Sequence, residues 1–294
     1  MACGVCSPPM QSCWRMDEAG IRRCRPLLGT FVEIAAPAGT ERAIEAAYAE
    51  IGRLHALMSF HDEGSDLAAL RRSPPGETVA VDPATVEVLA LAGEMFVLSD
   101  GLFDVTIGVE LVEHHFLPRP VGVEAHPGRG TGRDIVIVDT GHVRCDAPLL
   151  IDLGGIAKGY AVDRAVRVLA DAGVTSAIVN AGGDLRVLGD RAETIHLREA
   201  DGSIAFSVEI ADAALASSGD ADLVRSGHDG AISPYIGRDR RPIDVGEAVS
   251  IVADRCVVAD ALTKVVLADP VRGAMLASRF GAEVIACPSR RCAA

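Results

Sequence analysis

Asp260, Thr263 and Lys264 stand at i, i+3 and i+4, a spacing that brings side chains onto one face of a helix. A carboxylate and a hydroxyl are hard oxygen donors. Magnesium favours such donors and commonly takes one or two carboxylates, completing its shell with water and phosphate. Lys264 can pair with Asp260 or face a phosphate. The plainer alternative is an ordinary ion pair one turn apart. The neighbours Val257, Val258, Ala259, Leu262, Val265 and Val266 are all apolar, which makes a merely solvated charged face the weaker reading.

A second segment complements the first. Gly154-Gly155-Ile156-Ala157-Lys158-Gly159 reads as a glycine-rich turn opening a helix. Glycines let a backbone approach a ligand closely, and a helix N-terminus offers free N–H groups to an anion. Lys158 adds a mobile positive charge. The spacing is neither that of a P-loop nor that of a dinucleotide fingerprint, so a tight turn with a surface lysine stands beside phosphate binding. Asp152, between Ile151 and Leu153, is a carboxylate in an apolar run and needs a partner. Ligand binding and helix capping would each supply one.

Two further stretches carry weaker signals. Met58-Ser59-Phe60-His61 closes a helical pattern and offers a ring that can stack on a planar base, or simply a packed phenylalanine. Gly101-Leu102-Phe103-Asp104-Val105-Thr106 combines a turn glycine, an aromatic ring and a carboxylate. It suits a ligand edge or plain capping and packing. Ser217-Ser218-Gly219 lacks the elbow of a serine hydrolase, and His114, His115 and His228 have no companions at zinc-binding spacing.

The elements that must position these residues can be read from periodicity. Ile44, Ala47, Tyr48, Ile51, Leu54 and Met58 share one helical face behind Thr40 as N-cap. Asp82-Pro83 starts a second helix, closed by Ser99-Asp100-Gly101. Residues 27–34 read as a strand with a glycine near its start, and residues 117–133 as a surface loop. Residues 135–138 and 143–146 read as short strands. In the second half a helix is expected from about 157 to 172, followed by a hairpin turning at residues 180–184. Strands are expected at 194–197, 205–210 and 249–253, and helices near 259–268 and 271–279. Strands and helices mix without strict alternation, which predicts an α+β fold of two interlocked lobes.

Composition narrows the partners. The chain has 294 residues, 49% of them apolar and 23% charged, enough apolar content for a sizeable core. A net charge of −13 argues against nucleic acid or an anionic membrane surface as the main partner. No stretch is long and apolar enough to span a membrane. Residues 1–24 are polar, broken by Pro8 and Pro9, and lack a signal-peptide core. A cytoplasmic location is expected from this start, and a periplasmic one if the natural start differs. Six of the eight cysteines, Cys3, Cys6, Cys13, Cys24, Cys287 and Cys292, lie near the two ends. Cys3 and Cys6 have no second pair or histidine at zinc spacing.

Taken in order, these segments resemble the FAD:protein FMN transferase (ApbE) family. The matching string is Leu28-Gly29-Thr30, Met58-Ser59 with Ser65-Asp66-Leu67, and the stretch from Gly101 to Thr106. It continues with Ile151 to Asp163, Asn180-Ala181-Gly182-Gly183-Asp184, Ser218-Gly219 and Ala259-Asp260-Ala261-Leu262. Each motif is weak alone; their order and spacing over about residues 27–286 are specific. The resemblance implies one flavin transferase domain over residues 25–286, with lobes of about 25–148 and 149–286 and FAD in the cleft between them. Residues 1–24 and 287–294 would be tails, the first disordered or irregular.

The resemblance also implies an activity: magnesium-dependent transfer of FMN from FAD to a threonine or serine hydroxyl of an acceptor protein, releasing AMP. It places magnesium on Gly155, Asp260 and Thr263. It gives Asp260, Lys158 and His228 catalytic roles. Leu28, His61, Leu102, Phe103, Asp104, Asp152, Lys158 and Ile232 fall on FAD-contacting positions. Several residues depart from the family pattern. Leu28 stands for a common methionine, His61 for a stacking tyrosine, and Arg71 for an asparagine. The family's His-x-Ile-Asp-Pro-Arg-Thr-Gly corresponds to residues 230–237, without its histidine; His228, two residues earlier, is the nearest substitute. Lys264 takes the place of the usual metal-side threonine. Two alternatives therefore stand beside transfer: an FAD pyrophosphatase giving FMN and AMP, and a non-catalytic FAD-binding protein.

Overall fold

A computed structural model describes residues 20–122, 129–198, 203–219, 225–227, 230–244 and 248–286. Its centre is a seven-stranded, wholly antiparallel sheet. In sheet order the strands are β1 (Gly20–Leu27), β2 (Thr30–Pro37), β6 (Ala177–Ala181), β7 (Asp184–Leu188), β10 (Ala214–Ser218), β13 (Val249–Ala253) and β14 (Glu283–Ala286). A sheet strand exposes alternate residues to opposite faces. One face of β2 and β6, Val32, Ile34, Ala36, Ala177, Val179 and Ala181, packs on helices α1 (Glu41–Met58) and α5 (Ala157–Asp171). The other face presents Ile178, Leu185, Val187 and Leu215 to the hairpin of β8 (Glu193–Arg198) and β9 (Ile204–Ile210).

The two halves are interlocked through this sheet, because β2 pairs with β6 from Val32–Ala181 to Ala35–Ile178. The largest core cluster likewise draws on both. It joins α2 (Asp66–Arg72), α3 (Pro83–Leu98), the small sheet of β3 (Thr78–Ala80), β4 (Ile135–Asp139) and β5 (His142–Cys145), and the helices α6 (Cys256–Ala268) and α7 (Pro270–Arg279).

Helix α1 buries Ile44, Ala47, Tyr48, Ile51, Leu54 and Met58, the face expected from their spacing. Thr40 precedes it without capping it. Its hydroxyl donates backwards to the Pro37 carbonyl at 2.6 Å. At α3 the expected start holds: Asp82 accepts the Ala84 amide at 2.8 Å, and Pro83 follows.

The single strand expected over 27–34 is instead two strands. Leu28 and Gly29 take positive φ, 55° and 71°, and turn the chain into a tight hairpin of the kind that needs left-handed residues at both centres. Residues 20–24 are the first five residues of β1 and pair with β2. The short helices α2 and α4 (Gly108–Glu113) were not anticipated, being too brief for a periodic signal. Helix α6 begins at Cys256, three residues ahead of the expected start near 259.

Candidate functional site

The turn at Gly154–Gly155 and the first turn of α5 meet the middle of α6. Gly159 makes this possible. A Cβ there would stand 2.4 Å from the Cys256 carbonyl oxygen and 2.8 Å from the Asp260 Cβ, so only glycine lets the helices come this close. Its amide, one of the first-turn donors without an intrahelical acceptor, bonds Asp260 Oδ2 at 3.0 Å.

Asp260 is wholly buried. Its second carboxylate oxygen, Oδ1, holds the Lys264 ammonium, which also donates to the Asp260 carbonyl at 3.1 Å. Burial alone would raise the Asp260 carboxyl. The Lys264 and Lys158 charges, with the Gly159 amide, outweigh it and hold the group below the usual carboxylate range.

Strand β7 supplies the partners of α5. Residues two apart on a strand lie about 6.6 Å apart on one face, and residues five apart on a helix rise about 7.5 Å. Asp184 and Arg186 thus match Lys158 and Asp163. Asp184 Oδ2 binds the Lys158 ammonium, and Arg186 reaches Asp163 at 2.9 Å. Asp163 in turn accepts the amides of Cys256 and Val257 at 2.9 and 3.0 Å. It caps α6 from a neighbouring helix, a service that the N-cap residue Arg255 does not perform.

Burial works against the Lys158 charge, but Asp184 and Asp260 outweigh it and push its pKa upward. Burial and the nearby Asp260 carboxylate push Asp184 upward in spite of Lys158. The other Asp184 oxygen, Oδ1, is buried with no hydrogen-bond partner.

Thr263 lies elsewhere than its helix neighbour. It is fully buried, donates to the Asp260 carbonyl at 2.7 Å and bonds Ser218 of β10 at 2.8 Å. Gly155 faces Lys264 and Phe103. A Cβ on it would stand 3.4 Å from Lys264 Cε and 3.6 Å from the Phe103 ring. Gly155, Lys158, Asp260, Thr263 and Phe103 are therefore gathered at the crossing of α5 and α6. Among the described residues, no group of three or more histidine, cysteine, aspartate or glutamate side chains forms a metal cluster.

The other residues singled out from sequence sit around this crossing or apart from it. Asp152 accepts the Gly154 amide at 3.2 Å, and burial raises its carboxyl against the pull of nearby His61. His61 is exposed and meets Phe60 edge-on, with ring centroids 5.9 Å apart. Leu28 and Leu102 pack half-buried against the main core, in which Phe103 is buried. Asp104 is already engaged: it accepts from Thr106, both amide and hydroxyl, and pairs with Arg240 at 2.9 Å. It borders a cavity of about 290 Å³ shared with Gly101, Ile107, Arg133, Ile236 and Arg240. Ile232 is half-buried at the end of β12 (Gly230–Ile232), the partner of β11 (Arg225–Gly227). His228 lies outside the described residues.

Asp184, Asp163, Ser218 and Arg240 were not among the site residues read from sequence. Asp184 stood in view in the Asn180–Asp184 turn, and Arg240 in a charged run. Only the pairing of β7 against α5 gives the first a role, and only the return of the chain to Asp104 gives one to Arg240.

The wider comparisons agree with this architecture. A family model described as the ApbE family matches residues 28–286. A protein of Vibrio cholerae named FAD:protein FMN transferase is 30% identical over 227 residues, 70% of this chain and 66% of its own length. One of Rhodobacter capsulatus with the same name is 34% identical over 125 residues, 39% of this chain and 24% of its own length. The crystal structure of the ApbE protein of Thermotoga maritima superposes with a TM-score of 0.79 at 25% identity, covering 91% of this chain and 94% of that one. No helix of the described residues is long and apolar enough to cross a membrane.

Proposed function

The chain belongs to the ApbE family, and on that premise we propose that it moves FMN from FAD onto a threonine or serine hydroxyl of an acceptor protein. The acceptor oxygen attacks the phosphorus on the FMN side of the diphosphate. The bond from that phosphorus to the bridging oxygen breaks, AMP leaves with the oxygen and its charge, and the hydroxyl proton is lost to a base or to water. Phosphoryl transfer of this kind asks the protein chiefly for positioning and charge neutralisation.

The observation that carries the reading is the meeting of the 152–159 turn with the 260–264 face. It sets two ammonium groups, Lys158 and Lys264, beside the N-terminal turn of α5, whose helix dipole favours an anion. Lys158 and Lys264 would take the diphosphate, and Asp152 would hydrogen-bond the nucleotide. Leu28, His61, Leu102, Phe103 and Ile232 would line the flavin. Asp104, held by Arg240 and Thr106, would fix the loop at residues 101–106 against it. His228 would take the acceptor proton.

Magnesium on Gly155, Asp260 and Thr263 fits this arrangement poorly. Both Asp260 oxygens have partners, one of them the Lys264 ammonium, and the Thr263 hydroxyl is turned to Ser218. Charge neutralisation at the diphosphate is therefore assigned to the lysines.

The test is direct. The protein is incubated with FAD and a candidate acceptor, and the products are separated on a denaturing gel and by nucleotide chromatography. A flavin-fluorescent acceptor band with an equal yield of AMP is expected. AMP and free FMN without a labelled band would mean hydrolysis, and retained FAD without AMP would mean a binding protein.

A further inference from the structure

We propose that the Lys264 ammonium occupies the position of a divalent ion at this site, so that FAD binds here without metal; the proposal rests on the flavin reading above. The Lys264 stem runs over Gly155, and its head lies on Asp260 Oδ1 and 3.1 Å from the Asp260 carbonyl. That is the place where an ion shared by the glycine turn and Asp260 would sit. An ammonium has three donors. Two are spent on Asp260, and the third remains for an anion. The geometry suits such a use, because 18% of the Lys264 side chain is exposed while Asp260 is shut off entirely. Lys264 is thus the member of the pair that a ligand can reach.

Two more observations point the same way. Thr263, the only other side-chain oxygen offered by this helix face, is committed to Ser218 and to the Asp260 carbonyl and is fully buried. The charges of the cluster also balance. Lys158 and Lys264 oppose Asp184 and Asp260, two charges against two. A divalent ion reaching Asp260 would have to expel Lys264, since two cations on one carboxylate oxygen repel. An ion in place of Lys264 would leave the cluster with one net positive charge. With Lys264 the cluster is neutral and must hold a diphosphate through directed N–H donors from the two lysines.

The experiment is an FAD titration followed by flavin fluorescence, run in EDTA and in millimolar magnesium, on the wild type, Lys264→Thr and Lys264→Met. The wild type is expected to bind FAD equally in both buffers. Lys264→Thr, with an oxygen donor where the ammonium was, should lose about tenfold in affinity in EDTA, equivalent to ~1.4 kcal/mol, and recover in magnesium. Lys264→Met should bind weakly in both. Manganese electron paramagnetic resonance gives an independent reading: the ion stays free with the wild type and is bound by Lys264→Thr. Loss of FAD from the wild type on chelation, or manganese bound by the wild type and released by Asp260→Asn, would overturn the proposal and leave the flavin reading intact. This comparison stands on the wild type even if a variant misfolds. A wild type that binds no FAD in either buffer would overturn both.

Discussion

Gly159 gives its amide to the buried carboxylate of Asp260 at 3.0 Å, across a helix crossing too tight for any side chain. The contact joins residues 101 positions apart in the chain and fixes the carboxylate on which Lys264 rests.

Gly159→Ala should therefore damage more than packing. The new methyl would meet the Cys256 carbonyl at 2.4 Å, forcing α5 and α6 apart at a cost of about 1–3 kcal/mol, typical of an overfilled core. A thermal melt should fall by several degrees, and FAD affinity should fall with it. An unchanged melting curve would show that the crossing is looser than described.

Asp163 is expected to be a structural keystone for the same helix. Its carboxylate satisfies the first two amides of α6 and pairs with Arg186. Asp163→Ala removes all three contacts and should cost about 3–5 kcal/mol, the range for breaking a buried charge pair. Asp163→Asn keeps an acceptor and should cost clearly less. Urea unfolding of the two variants measures this; equal losses would remove the capping role.

Lys158 and Asp184 should behave as a coupled pair. Lys158→Met leaves Asp184 buried beside Asp260 with no opposing partner at Oδ2, and Asp184→Asn leaves Lys158 without its carboxylate. Each single change should destabilise the fold, while the double variant recovers part of the loss, with a coupling of about 0.5–3 kcal/mol in a double-mutant cycle. Strict additivity would mean that the ammonium and the carboxylate do not depend on each other.

The cysteines offer a pH-dependent check. Burial first, then Asp146 and Asp134, push the Cys145 thiol up to about 11, and burial pushes Cys256 well above its ordinary value. Thiolate is the reactive form, so at pH 8 both should resist iodoacetamide in the native protein, while exposed Cys24 is the more accessible. The folded state holds these protons more tightly than the unfolded chain, so their contribution to stability is complete below the ordinary thiol pKa of about 8.5. It is lost as pH rises through the higher folded values. Peptide mapping after alkylation reads the first effect and urea unfolding between pH 8 and 11 the second. Rapid native alkylation of Cys145 would contradict the burial described.

Much of the frame could be read from sequence because it rests on local rules. The buried face of α1, the Asp82-Pro83 start of α3 and the hairpin of β6 and β7 all follow from periodicity or turn chemistry within one short stretch of chain. What failed there was finer local competition. Leu28 adopts a left-handed turn that its type does not advertise, and the Thr40 hydroxyl prefers the Pro37 carbonyl to the helix behind it. The site was legible as two segments, 152–159 and 260–264, whose residue types suit phosphate chemistry. Their detail was not. Whether Lys264 or Thr263 turns towards Gly155 depends on Ser218 lying beneath α6, and the role of Asp184 depends on the register of β7 against α5. Such facts belong to packing between distant strands and helices, where sequence spacing is silent.

The most direct measurement is a crystal structure of the protein with FAD, grown in the presence of EDTA. The diphosphate is expected at the N-terminus of α5, within hydrogen-bond reach of the Lys158 and Lys264 ammonium groups, with Lys264 still on Asp260. FAD lodged elsewhere, such as in the cavity beside Arg240, with the Gly155–Lys264 crossing untouched, would contradict that placement.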